Sequence, residues 1–258
     1  MTKLLLLPLL LAAAALAQLK SPNDAGVAMG HLHIRAADLA PHEKFWTALL
    51  ESAPRKNGNM LVYRYPGGVL LLQAMASSGG TVGSVVEHVG FQVKSLKRSL
   101  ARVQEAGFAV PAITGAQAFV MAPGDVRVEL SEEASQAVPI SSHHIHFYNQ
   151  AVDETKAWYV KTFGAAPGKR GRFEAADLPG VNLTFSAAEK PTVPTKGRVL
   201  DHIGFEVRNL EQFCRQLEAQ GVKFDVPFRK MPQLNLALAF LTDPWGTYIE
   251  LTEGLGAW

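Results

Sequence analysis

One cysteine, almost no excess charge and no long apolar run after the first 17 residues are the absences that narrow this 258-residue chain. The single Cys214 excludes an intramolecular disulfide framework and a cysteine-rich zinc module. Lys and Arg number 25 against 23 Asp and Glu, a formal charge of +2, which argues against a strongly basic nucleic-acid binder. Beyond the N-terminus no segment approaches the ~20 apolar residues of a membrane-spanning helix. What remains, with 48% apolar residues and well-spread charge, is a globular chain of one large or two moderate domains.

The N-terminus reads as an address. Lys3 precedes an apolar run of 13 residues, Leu4 to Leu16, and Ala15-Leu16-Ala17 forms a small-x-small cleavage site before Gln18. The run is too short for an anchor, and no cysteine follows to carry a lipid. The expectation is a signal peptide over 1–17, cleaved after Ala17, and a periplasmic or secreted mature protein without a membrane partner. Residues 18–28 then form an N-terminal tail.

The mature chain repeats itself. Gly30-His31-Leu32-His33-Ile34 recurs as His143-His144-Ile145-His146-Phe147 at an offset of 113, and Phe45-Trp46, Ala53-Pro54 and Pro66-Gly67 keep that register with Trp158-Tyr159, Ala166-Pro167 and Pro179-Gly180. Glu87-His88-Val89-Gly90-Phe91 recurs as Asp201-His202-Ile203-Gly204-Phe205 at an offset of 114. Each unit opens with an alternating strand around a histidine, continues into a helix (41–50, 96–105, 153–163, 210–220) and ends in about three short strands. The expected fold is α+β: four βαβββ modules, at 29–76, 85–135, 141–190 and 199–254, in two domains over 29–135 and 141–254. Loops are expected at 77–84, 131–142 and 191–198.

Residues two apart on a strand share a face, so His31 with His33, and His144 with His146, point the same way. Late strands carry Glu129 and Glu250. Each half thus offers two strand histidines and a strand carboxylate: His31, His88, Glu129, then His144, His202, Glu250. Two imidazoles with a carboxylate suit Zn, or Mn or Fe in a facial triad with open positions. An exported protein is metallated outside the cytosol, where Zn outcompetes Fe by affinity, so Zn or Mn is favoured. His33 and His146 are candidates for a supporting or acid–base role near the metal. His42 and His143 read as exposed, and Cys214 as buried in a helix.

Met29-Gly30-His31-Leu32-His33-Ile34 with Phe45-Trp46, the two acid-His-(Val/Ile)-Gly-Phe strands, and Asp243-Pro244-Trp245-Gly246-Thr247-Tyr248-Ile249-Glu250-Leu251 together resemble the vicinal oxygen chelate superfamily. That group includes glyoxalase I, bleomycin- and fosfomycin-resistance proteins and extradiol dioxygenases. The resemblance implies open, cup-shaped mixed sheets whose concave face binds a divalent metal through the six residues named above. It departs at the last strands of the first and third modules, which carry Gln73 and Ser186 in place of a carboxylate. Members also pair modules across domains or subunits, in which case His31 shares a metal with His202 and Glu250.

The resemblance implies a small-molecule partner that chelates through adjacent oxygens, with lyase or isomerase chemistry, in a monomer or homodimer. Ring cleavage ranks lower. Phe240 stands where extradiol enzymes carry a tyrosine, and 232–239 holds no histidine. Glutathione-dependent chemistry is disfavoured for an exported chain. A sequestering protein without turnover is the non-enzymatic alternative, with Trp46, Trp158, Tyr159 and Trp245 as pocket candidates, although their positions suit helix packing better. Lys169-Arg170-Gly171-Arg172 is a basic cluster suited to an anionic substrate or to a solvated loop.

Overall fold

The computed structural model describes residues 18–257; the expected signal peptide, 1–17, lies outside the described residues. The first module runs β1 (Val27–Ala36), α1 (Leu39–Leu50), β2 (Arg55–Asn57), β3 (Met60–Tyr65), β4 (Gly68–Ala74). The second runs β5 (Val86–Val93), α2 (Leu96–Glu105), β6 (Gln117–Ala122), β7 (Val126–Glu132). The third runs β8 (Ile140–Asn149), α3 (Val152–Phe163), β9 (Ala166–Arg170), β10 (Phe173–Leu178), β11 (Val181–Ala187). The fourth runs β12 (Leu200–Val207), α4 (Leu210–Ala219), β13 (Phe224–Met231), β14 (Leu236–Thr242), β15 (Tyr248–Glu253).

Local chemistry sets the boundaries. Asp38 caps α1 by accepting from Ala40 N at 2.9 Å, Ser95 caps α2, and Gly164 closes α3 in the left-handed conformation at φ 65. The second module has two strands after its helix instead of three. Residues 108–116, interrupted by Pro111 and largely exposed, form no strand. The expected loop at 131–142 shrinks, because β8 begins at Ile140 and Ser141 and Ser142 already pair with Gln92 and Phe91.

Inside every module the first strand runs parallel to the last: β1 with β4, β5 with β7, β8 with β11, β12 with β15. The modules then join in an order that corrects the expected pairing within each half. The first module pairs with the fourth through antiparallel β1 and β12, giving an eight-stranded sheet ordered β13-β14-β15-β12-β1-β4-β3-β2. The second pairs with the third through β5 and β8, giving a seven-stranded sheet ordered β6-β7-β5-β8-β11-β10-β9. Both sheets are open and mixed. Neither 29–135 nor 141–254 builds a sheet alone.

Glycines make these seams possible. A Cβ on Gly30 would lie 2.9 Å from the backbone N of Glu206 across the β1–β12 seam. The repeated Pro-Gly turns dock one sheet on the other: Met29 N donates to Pro179 O, and Ser142 N to Pro66 O, each at 2.9 Å. Helices cover the outer faces, where Phe45, Trp46 and Tyr159 are fully buried and Trp158 and Trp245 pack on the core. These four aromatic residues with pocket potential, Trp46, Trp158, Tyr159 and Trp245, are thus packing residues. Cys214 is buried on α4, as expected. His42 is buried on α1, not exposed, because its helix turns it inward toward Gly124. His143 is half-buried beside His144.

Candidate functional site

Strand pairing brings the six candidate metal ligands together across the two halves, the alternative in which His31 shares a centre with His202 and Glu250. Across β1 and β12, His33 lies opposite His202, and His31 lies opposite Gly204. Across β5 and β8, His146 lies opposite His88, and His144 lies opposite Gly90. His31 therefore joins His202 and Glu250, and His144 joins His88 and Glu129. The per-half sets His31/His88/Glu129 and His144/His202/Glu250 do not form. The physical cause is the seam between modules, which places one histidine strand from each half side by side.

In the first site His31 Nε2 and His202 Nε2 both lie 3.0 Å from the same oxygen of Glu250. His202 Nδ1 meets Asp201 Oδ1 at 2.7 Å, and Asp201 is held by Arg35 at 3.3 Å and by the Gly197 backbone N–H at 2.7 Å. A carboxylate on Nδ1 fixes the tautomer that leaves Nε2 free to act as a donor to a metal. Burial opposes charge on Glu250, but bonds to His202 and His31 hold its carboxyl well below the usual range. Burial likewise works against a charged His202, and the two carboxylates beside it outweigh that and raise its pKa. His33 is pushed down to about 3 by burial and then by His202 and His31.

The residues present fit a divalent metal. Donor atoms of His31, His33, His202 and Glu250 all lie within 4.8 Å of one another, and all four are buried. Two buried imidazole nitrogens, Nδ1 of His31 and Nδ1 of His33, have no hydrogen-bond partner. Gly204 forms a cradle for a ring: a Cβ there would lie 2.0 Å from His31 Cε1, and one on Gly90 would lie 2.1 Å from His144 Cε1. The glycine of the acid-His-x-Gly-Phe motif thus seats the histidine of the partner module.

A cavity of about 400 Å³ opens over this first site. Strand alternation supplies its walls: His31, His33 and Arg35 from β1, Tyr248, Glu250 and Thr252 from β15, and Leu236, Leu238 and Phe240 from β14, with Gln73 and Arg229 also lining it. Phe240 stacks on Tyr248 with centroids 5.0 Å apart. The phenol absent at position 240 is therefore supplied to the same cavity from the neighbouring strand. Burial, followed by the charges of Asp225, Asp201 and Glu250, raises the Tyr248 hydroxyl to about 12.

The second site repeats the plan with other neighbours. His88 Nε2 lies 3.2 Å from Glu129 Oε2 and His144 Nε2 lies 3.5 Å from it. Glu87 bonds His88 Nδ1 and is itself paired with Arg127. His146 places Nδ1 at 3.1 Å from His88 Nε2 and Nε2 at 2.8 Å from Ser186 Oγ. Arg170, from the basic 169–172 cluster, points into this site: it bonds Thr184 and lies 3.7 Å from Glu129. Sequence reasoning missed the roles of Asp201, Glu87, Arg35, Arg127, Arg170 and Tyr248. The acid immediately before the histidine, present in both copies, was the one signal that could have found the first two.

Two open mixed sheets built of βαβββ modules, with paired strand histidines and a carboxylate on one face of each, define a duplicated vicinal oxygen chelate fold. The sequence profile of the Glyoxalase/Bleomycin resistance protein/Dioxygenase superfamily matches residues 141–251. Glyoxalase I from Zea mays shares the fold over 90% of this chain and 94% of its own, with a TM-score of 0.70 at 15% identity. A candidate dioxygenase from Bacillus subtilis subsp. subtilis str. 168 shares it over 92% of this chain and 86% of its own, with a TM-score of 0.69 at 12% identity. Comparison with curated proteins gives no match.

Proposed function

We propose that the first site is the working centre of a metal-dependent enzyme acting on a small oxygenated molecule through two adjacent oxygens, with lyase- or isomerase-type chemistry. The observation that carries this reading is the convergence of His31 and His202 on one Glu250 oxygen at 3.0 Å each, inside a cavity of about 400 Å³. A bound divalent metal, Zn, Mn or Fe, supplies Lewis-acid polarisation of substrate oxygens there. His31, His202 and Glu250 hold it, and Asp201 with Arg35 keeps the His202 ring oriented. Leu236, Leu238 and Phe240 exclude water from one side of the substrate. Tyr248 keeps its proton at neutral pH and donates a hydrogen bond, while His33 stays neutral beside the ligands with its Nδ1 buried and unpartnered.

Elemental analysis of the purified full chain tests the reading. Metal is expected in the wild type, with one equivalent lost in the His202→Ala and Glu250→Gln variants and turnover lost with it. Protein that stays metal-free after incubation with Zn, Mn or Fe overturns it. Tight binding of small ligands without product favours sequestration instead, and oxygen uptake with catechols favours ring cleavage. The Met1–Ala17 leader supports export, with the native protein expected to begin at Gln18; an N-terminal sequence starting at Met1 removes that part of the proposal.

A further inference from the structure

We propose that the substrate of the first site is an amphipathic acid, with two adjacent oxygens at one end, an aryl or branched alkyl body, and a separate carboxylate at the other end held by Arg229. The inference rests on the metal-centre reading above and names the class of molecule that the rest of the cavity fits. Beside the metal ligands the wall is apolar: Met60 on β3, Leu71 on β4, and Leu236 and Leu238 on β14 line it. Met75 lines it too and is left 39% exposed. A concave site of this kind buries an apolar body and orients it with a few polar groups.

The apolar wall is not a demand of the fold, because the second sheet carries polar side chains at the corresponding places. Leu71 lies beside His33 on β1, and Thr184 lies beside His146 on β8. Phe240 and Phe119 stand opposite Glu250 and Glu129, so Leu238 corresponds to Gln117. Thr184 accepts from Arg170 and Gln117 donates to Glu129, whereas Leu71 and Leu238 present only hydrocarbon. A polyhydroxylated molecule would lose its water against that wall without replacement, and an aryl or alkyl body loses nothing.

Positive charge stands at the outer strand of the same cavity. Of the two arginines lining it, Arg35 is paired with Asp201 at 3.3 Å. Arg229 on β13 is exposed, and among the described residues no carboxylate lies within ion-pair distance of it. Asp225, on the same strand, accepts from Thr242 at 2.6 Å. Arg229 pairs with Leu238 on β14, which in turn pairs with β15 carrying Glu250. Two strand spacings, about 10 Å, therefore separate Arg229 from the strand of the metal ligand. A ring substituted at both ends, together with the arginine side chain, spans that interval, and the guanidinium fork donates two parallel hydrogen bonds to a carboxylate. Lys196, with its ammonium 4.3 Å from the Tyr248 ring centroid, adds a second positive charge beside the cavity.

Three hydroxamates, which chelate through adjacent oxygens, test the proposal by calorimetry on the Zn-loaded full chain: acetohydroxamate, benzohydroxamate and 4-carboxybenzohydroxamate. The ring is expected to tighten binding by about tenfold or more, and the carboxylate by a further fivefold or so. Arg229→Gln removes the carboxylate's advantage and leaves benzohydroxamate within about twofold. Leu238→Gln weakens both aryl probes and leaves acetohydroxamate unchanged. Arg229 is exposed, so its variant reads the proposal even where Leu238→Gln fails to fold. Equal binding of acetohydroxamate and benzohydroxamate, no gain from the carboxylate, or a gain that survives Arg229→Gln overturns the proposal. Failure of the metal-centre reading looks different: the hydroxamates then bind no better than the matching carboxamides. Chelator-treated protein still prefers 4-phenylbutyrate to 4-phenylbutanol, in a manner that depends on Arg229.

Discussion

At the scale of single residues, the glycines at 90 and 204 and the acids at 87 and 201 do as much for the sites as the histidines. Gly204 exists because the His31 ring occupies the space of its side chain, 2.0 Å from where a Cβ would stand. Gly204→Ala is expected to displace that ring, weaken Zn at the first site by about tenfold or more and cost about 1–3 kcal/mol through overpacking. Zn competition and urea denaturation check both, and an alanine variant with unchanged Zn affinity contradicts the cradle. Asp201 acts through His202. Asp201→Asn keeps a hydrogen-bond acceptor but removes the charge, and is expected to lower metal affinity by about 10–100-fold with little change in fold. Unchanged affinity in a chelator titration would remove Asp201 from the positioning role.

At the scale of elements, the fourth module's turn before β15 is a structural joint. Asp243 accepts from Trp245 N at 2.9 Å and Thr247 N at 2.7 Å, and Tyr159 on α3 donates to its other oxygen at 2.9 Å. Asp243→Ala leaves these buried donors without partners and is expected to cost about 3 kcal/mol or more, against about 1 kcal/mol for Tyr159→Phe; comparable urea midpoints for the two variants would refute the joint. Helix α1 carries a pH-dependent contribution of its own. His42 is buried without a partner for Nδ1, and burial lowers its pKa from 6.5 to about 4. Because the folded value lies below the unfolded one, full stability holds above about pH 6.5 and declines as pH falls toward 4, by up to about 3 kcal/mol. His42→Gln is expected to flatten that limb, measured as urea midpoints at pH 7.5 and 4.5; an equal acid loss in both proteins sinks the assignment.

At the scale of the whole molecule, each sheet needs one module from each half of the chain. Cutting the chain between 135 and 141 leaves β1, β5, β8 and β12 with unpaired edges. Expressed alone, 29–135 and 141–254 are expected to be insoluble or to lack a cooperative thermal transition, and co-expression is expected to restore a single one. Either half melting cooperatively as a monomer would show that modules also pair within a half. The connections at 77–84 and 191–198 meet at the seam, with Val85 N donating to Val193 O at 3.0 Å and Val199 N to Gly79 O at 2.9 Å.

How much was legible follows from the range of each interaction. The repeat, the order of elements and the face on which each histidine lies are local properties. Strand alternation and helix stops write them into neighbouring residues, as at His31-Leu32-His33 and at Gly164 after α3. The acid-His-x-Gly-Phe motif carried the ligand, its orienting carboxylate and the ring cradle in five consecutive residues. Which histidines share a centre was not local. The strands around His31 and His144 resemble each other, as do those around His88 and His202, so backbone pairing that ignores side chains accepts either partner. Only the packed structure, through Gly30 against Glu206, Gly204 beneath His31 and the Pro-Gly turns between sheets, decided that the first module meets the fourth and the second meets the third. The same packing turned Arg170 toward Glu129 and brought His146 to His88, contacts between residues 41 and 58 positions apart that no spacing rule records.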